Sequence, residues 1–219
     1  MKAAMQPIQL IRNLATLATA VGLITGCASD NYKNSASTAA SLNQASGMII
    51  KANTHIDESL ADLNDLVANP APDLRKQFDR FNHALDELGV SSKDIACKDG
   101  EMKSQGADYF AKWDKESARI QNEDIRSRSE TRRSEVSARF NRIGQQYNET
   151  EIAFQPFLSD LRDVQKFLST DLTAGGLAAI KDSAAKAARD AVPLKESLAK
   201  LSEEFRSLGL SMSPTTASR

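Results

Sequence analysis

Apolar residues recur at three- and four-residue steps along most of this chain, the spacing of one face of an α-helix. Over residues 41–67 the stripe runs through Ile49, Ile56, Leu60, Leu63 and Val67, while Lys51, Asp57, Glu58 and Asp65 take the opposite face. Asn69-Pro70-Ala71-Pro72 ends this helix, because the residue before a proline is pushed out of the α region. Pro72 suits an early position of the next one. A second helical pattern fills residues 73–172. It opens on Leu74, Phe78, Phe81 and Leu85 and resumes with Phe110, Trp113 and Ile120. It closes on Phe140, Ile143, Tyr147, Phe154, Phe157, Leu158, Leu161, Val164 and Leu168. Gly89-Val90-Ser91-Ser92 reads either as a turn capped by a serine or as a weakened but unbroken helix, and continuity is preferred. Pro156 predicts a kink near Ile152. Thr173-Ala174-Gly175-Gly176 predicts a turn. A last helix over 177–205, bent at Pro193, carries Ile180, Ala184, Ala187, Ala191, Leu194, Leu198, Leu201 and Phe205.

This pattern predicts an all-α protein of elongated, antiparallel coiled-coil helices. A long central helix of roughly 150 Å would carry a shorter helix folded back at each end. The first helix would cover the central one to about Lys103 and the last would cover back to about Arg142. The uncovered middle coincides with residues 114–139, half of which are charged. There Glu116/Arg119, Glu123/Arg126, Asp124/Arg128, Glu130/Arg133 and Glu135/Arg139 stand at helical spacing, each pair worth a few tenths of a kcal/mol. A solvated helix accounts for the segment. The sharper alternative is a docking surface for a partner of complementary charge.

The N-terminus reads as an address. Lys2 and Arg12 precede an apolar run over residues 14–24 that is too short to span a bilayer comfortably. Ile24-Thr25-Gly26-Cys27 then resembles the bacterial lipobox, in which an aliphatic residue and two small ones precede an acylated cysteine. The resemblance implies a lipoprotein signal peptide at 1–26 and lipidation of Cys27. Residues 27–40 would be a tether, 41–207 the helical coiled-coil domain and 208–219 a disordered tail. By resemblance to enteric lipoproteins, Asp30 stands too late to retain the protein at the inner membrane. The expected address is the periplasmic side of the outer membrane.

Charge and chemistry narrow the function further. Lys and Arg total 28 against 29 Asp and Glu, a balance that argues against nucleic acid and offers no polybasic membrane patch. Two cysteines are too few for a disulfide framework, and Cys97 is expected to pack as a small apolar residue with a free thiol. No phosphate loop, nucleophile elbow or zinc-protease motif occurs. His55 and His83 lie on different helices, and two ligands make a poor metal site. No catalytic, cofactor or metal residue is therefore expected. Trp113 is read as core packing where the first helix ends, in preference to a binding anchor.

The chain also resembles a family of bacterial lipoproteins catalogued as domain of unknown function 2959. The likeness rests on Phe110-Ala111-Lys112-Trp113, on Arg132 and Arg139-Phe140, and above all on Phe154-Gln155-Pro156-Phe157-Leu158 followed by Leu161-Arg162-Asp163 and Leu168. It covers roughly residues 45–205 and implies fold and localisation, with no catalytic residue to carry over. The expectation is a non-enzymatic, lipid-anchored structural or interaction module of the cell envelope. Its partners would be the membrane and either another protein or a second copy. The alternative is a periplasmic binder of a lipid or other apolar ligand in a helical groove.

Overall fold

The computed structural model describes residues 28–214, and these form four helices with no strand among them: α1 (Ala28–Ala68), α2 (Arg75–Ser117), α3 (Glu123–Thr170) and α4 (Ala174–Met212). At 1.5 Å per residue each is roughly 60 to 70 Å long. The expected continuous helix over 73–172 is therefore two helices, broken at residues 118–122. Asn122 makes the break. Its side chain accepts the N–H of Ile125 at 3.1 Å, and Glu123 and Asp124 place negative charge on the first turn of α3. Gly89–Ser92, the expected weak point, stays helical inside α2, because Leu85, Leu88 and Ser91 continue the buried stripe through it.

Each helix packs along two neighbours. Between α1 and α2, Asn34 meets Lys112, His55 meets Ser91 and Asp65 meets Arg80. Trp113 meets Ser129 and Asn82 meets Gln165 between α2 and α3. Thr150 meets Ser197 and Asp160 meets Lys186 between α3 and α4. The ring closes where Ser46 meets Ser202 and Asp57 meets Lys195 between α1 and α4. The core fills the centre of this ring with aliphatic side chains and a few phenylalanines; Leu42, Ile56, Leu66, Phe81, Leu88, Leu161, Leu168 and Phe205 are all buried.

Toward the opening of α1, the α1–α4 seam is built from small residues. Ser46 and Ser202 share a hydrogen bond of 2.8 Å within it. A Cβ on Gly209 would fall 2.7 Å from Asn43 Oδ1 and 3.1 Å from the Ala39 carbonyl oxygen, so glycine permits the approach of the two helices. Hinges at the opposite end are tied by single side chains. Buried Gln77 accepts the Ala71 N–H at 2.8 Å and donates to Asp65 Oδ2 at 2.8 Å and to the Asn69 carbonyl at 3.0 Å, which clamps the proline turn. Thr173 caps α4 by accepting the Gly176 N–H at 3.2 Å.

Both ends of the helical body extend beyond the sequence expectation. The segment expected to be a tether is the opening of α1 from Ala28 onward, and Thr38 and Ala39 are buried within it. The expected tail begins as the last turns of α4, with Leu208 and Met212 buried. Alanine and serine hid the opening turns of α1, because a small side chain fills a core position without looking apolar in a pattern. Residues 1–27 and 215–219 lie outside the described residues. Neither Pro156 nor Pro193 interrupts its helix. Both sit on exposed positions, and the carbonyl that Pro156 leaves unpaired belongs to Ile152, whose side chain is 74% exposed.

Candidate functional site

One end of the bundle gathers the start of α1, the end of α2, the start of α3 and the end of α4. Lys112 Nζ donates to Asn34 Oδ1 at 3.1 Å, and Ser35 Oγ donates to the Met212 carbonyl. The α2–α3 turn closes with N–H bonds from Ala118, Arg119 and Ile120 to the carbonyls of Asp114, Glu116 and Ser117. Beneath it Trp113 Nε1 donates to Ser129 Oγ at 2.8 Å, and Ser129 shares a 2.6 Å bond with Ser117. Arg133 pairs with Asp114 at 2.8 Å and lays its guanidinium 5.1 Å from the centre of the Phe110 ring. Phe110 meets Phe140 edge to face at 5.8 Å, and Tyr109 meets Trp113 at 5.5 Å. Burial raises the Tyr109 phenol above its ordinary value, against the Ser35 hydrogen bond and the Arg132 charge, which lower it. Trp113 packs on the core as expected, beside the opening turns of α1, which reach further along α2 than the expected start at residue 41 allows.

The charged segment folds around this end. Arg119–Glu116 forms at 3.0 Å and Arg126–Glu123 also forms. Asp124/Arg128 does not form, and in the remaining two expected pairs Arg133, Glu135 and Arg139 take other partners. Arg133 takes Asp114, Glu135 takes Arg132 at 3.4 Å, and Arg139 donates to Ser207 Oγ at 3.0 Å. Most of these side chains face solvent, and Ile125 among them is 56% exposed.

The histidines do not converge. His55 is buried and shares a 3.0 Å hydrogen bond with Ser91 through Nδ1, while His83 is exposed elsewhere on α2. Among the described residues no three His, Cys, Asp or Glu side chains cluster as metal ligands. Lys186 lies between Asp160 and Asp190 at 2.7 Å each, and these hydrogen bonds push its ammonium up to about 12. It is a fixed surface cation that ties α3 to α4.

Cys97 is exposed, which corrects its expected packing as a small apolar residue. It lies off the stripe of α2 that Ser91, Ile95 and Met102 turn toward the core. A maleimide should therefore label native protein carrying Cys97 as its one thiol as fast as it labels the urea-unfolded chain; labelling only after unfolding would show the thiol to be covered.

Open space lies at the other end. A groove of about 620 Å³ runs between α1 and α4, lined by Leu60, Leu63 and Val67 on one side and by Leu177, Ala178, Lys181 and Ala184 on the other. A second, of about 440 Å³, lies between α3 and α4 beside Val164, Phe167, Ala179 and Lys186. Mid-bundle, the space beside Tyr147, Phe154 and Leu198 amounts to about 20 Å³, room for a single water.

Cys27, the expected lipidation residue, lies outside the described residues, next in the chain to Ala28. Gln77 and Asn122 carry structural roles that the apolar pattern does not reveal. Asn122 followed by two acids was a legible helix start, whereas nothing local distinguishes a buried glutamine from an exposed one. No described helix is long and apolar enough to cross a membrane. The chain belongs to the family described as protein of unknown function (DUF2959), which matches residues 33–206. No curated protein and no solved structure matches it.

Proposed function

We propose that this member of the DUF2959 family is a lipid-anchored periplasmic bundle, held at the outer membrane through acylated Cys27, acting as a structural or protein-interaction module of the envelope. One observation carries the reading: Ile24-Thr25-Gly26-Cys27 closes a short apolar run that follows Lys2 and Arg12, directly ahead of the residues described as α1. A cysteine at the junction of an apolar leader and a folded body is where an anchor must sit to hold that body at a surface. The core positions support a coiled-coil description of the helices. In α4 they step by three and four in alternation through Leu177, Ile180, Ala184, Ala187, Ala191, Leu194, Leu198, Leu201, Phe205, Leu208 and Met212. Replacing Cys27 by serine should abolish acylation and cleavage, leaving a precursor absent from the outer-membrane fraction. Fractionation with palmitate labelling checks this, and a variant that still matures and sediments with the outer membrane would sink the anchor.

The α1–α4 groove favours a second reading, a binder of an apolar ligand. Its walls are apolar apart from Asn64 and Lys181. Native mass spectrometry of the unlipidated protein separates the two: a retained lipid supports the binder, and a defined oligomer or protein partner supports the module.

A further inference from the structure

We infer that the α2–α3 turn, residues 118–122 with the first turn of α3, sits in the lipid headgroup layer and that the bundle stands upright on the membrane. This rests on acylation of Cys27. The carrying fact is register. Asp65 meets Arg80, His55 meets Ser91 and Asn34 meets Lys112, so every step back along α1 matches a step forward along α2. Continued at that register, Ala28 stands level with Ala118. Cys27 is covalently next to Ala28, about 3.8 Å away from Cα to Cα. With α1 helical from Ala28, no slack separates the acylated residue from the rigid body. The glycerol of an acylated cysteine lies where hydrocarbon meets headgroups, and that polar layer is several ångströms deep on each side of a bilayer. A turn level with Ala28, one helix spacing of about 8 to 10 Å to the side, falls in the same layer.

The chemistry of the turn suits that place. Ile125 is 56% exposed, and Ile120 is partly exposed beside it. Around them Lys115, Arg119, Arg126 and Arg128 alternate with Glu116, Glu123, Asp124 and Glu130, all on exposed or half-buried positions. Such a rim is not an attractor of anionic lipid. Carrying both signs in equal number, it matches zwitterionic headgroups, which present a phosphate and an amine together, and the two isoleucines reach toward the apolar boundary. Ordinary solvation explains the charges alone; exposed Ile125, with partly exposed Ile120 beside it, is what sets an apolar surface at the end of the bundle next to the anchor.

The test uses the lipidated full chain in phosphatidylethanolamine–phosphatidylglycerol vesicles that contain a headgroup nitroxide. In a Cys97→Ser background, one fluorophore is placed at Ile125→Cys, at Arg119→Cys or at Lys76→Cys, the last at the far end of α2. Arg119 is exposed, so its variant keeps the fold if Ile125→Cys does not. Quenching at positions 125 and 119 several-fold above that at 76 is the expected result. The acyl mass on Cys27 is read from the same preparation. Equal quenching at all three positions on an acylated protein overturns the upright placement and leaves the anchor standing. A protein without the acyl mass overturns both.

Discussion

Replacing Gly176 by alanine should destabilise the bundle by about 3 kcal/mol or more, the upper range for forcing atoms into a packed site. A Cβ at this position would fall 2.0 Å from the backbone carbonyl oxygen of Asp171 and 3.1 Å from its Cγ. Backbone cannot swing aside as a long side chain can. Relief requires moving the whole turn between α3 and α4, which also holds the Thr173 cap and brings Leu177 into the core. The neighbouring Gly175→Ala is the control. Its Cβ would meet only Thr173 Oγ1 at 3.5 Å, an ordinary contact, and its cost should stay within about 0.5 kcal/mol. Urea unfolding of the unlipidated protein, followed by helical circular dichroism, measures both. Equal midpoints for the two variants would show that the turn has room the structure denies it.

Truncating Phe205 to alanine should cost about 3 to 5 kcal/mol, the range for deleting a buried aromatic ring. Phe205 is buried where all four helices meet, beside Ala45 and Ile49 of α1, Met102 of α2 and Tyr147 of α3. Its neighbours come from separate helices that are already packed elsewhere, so the site cannot collapse around the missing ring. Phe167→Ala provides the contrast. That ring is 41% exposed beside the α3–α4 groove, and its loss should cost well under about 1 kcal/mol. The same unfolding experiment decides the matter: similar midpoints for the two variants would mean that Phe205 is not a central packing residue.

Much of the bundle was legible because its core residues are large. The stripe from Phe140 to Leu168 and the stripe from Ile180 to Phe205 were read position by position, since Phe, Leu, Ile and Val announce a buried face. Misreading began where small or charged residues carry the structure. Thr38 and Ala39 are buried, yet in sequence they look like a linker. Such residues make α1 and α4 look too short to cover the middle of the chain, and a continuous charged helix is the simplest pattern that spans it. The break at Asn122 returns that stretch to the end of a bundle, where thin cover is normal. The site was legible only as a motif, because Ile24-Thr25-Gly26-Cys27 is a local signal. The register that relates it to the α2–α3 turn arises from packing across helices, which no local pattern encodes.

The small-residue seam between α1 and α4 also governs the order in which the chain is completed. α1 can pair with α2, and α3 with α4, as soon as each hairpin exists, since their turns are short and the loops to be closed are cheap. The meeting of Ser46 with Ser202 spans 156 residues of chain and waits for the last helix to be synthesised. Until then, the small-residue edge of α1 has no partner of its own chain. Alanines, serines and glycines are well suited to that interval, because they expose little greasy surface while they wait and add little to non-specific association. Larger side chains there would stabilise wrong contacts first, so the same residues that let the finished helices approach also keep the unfinished chain quiet.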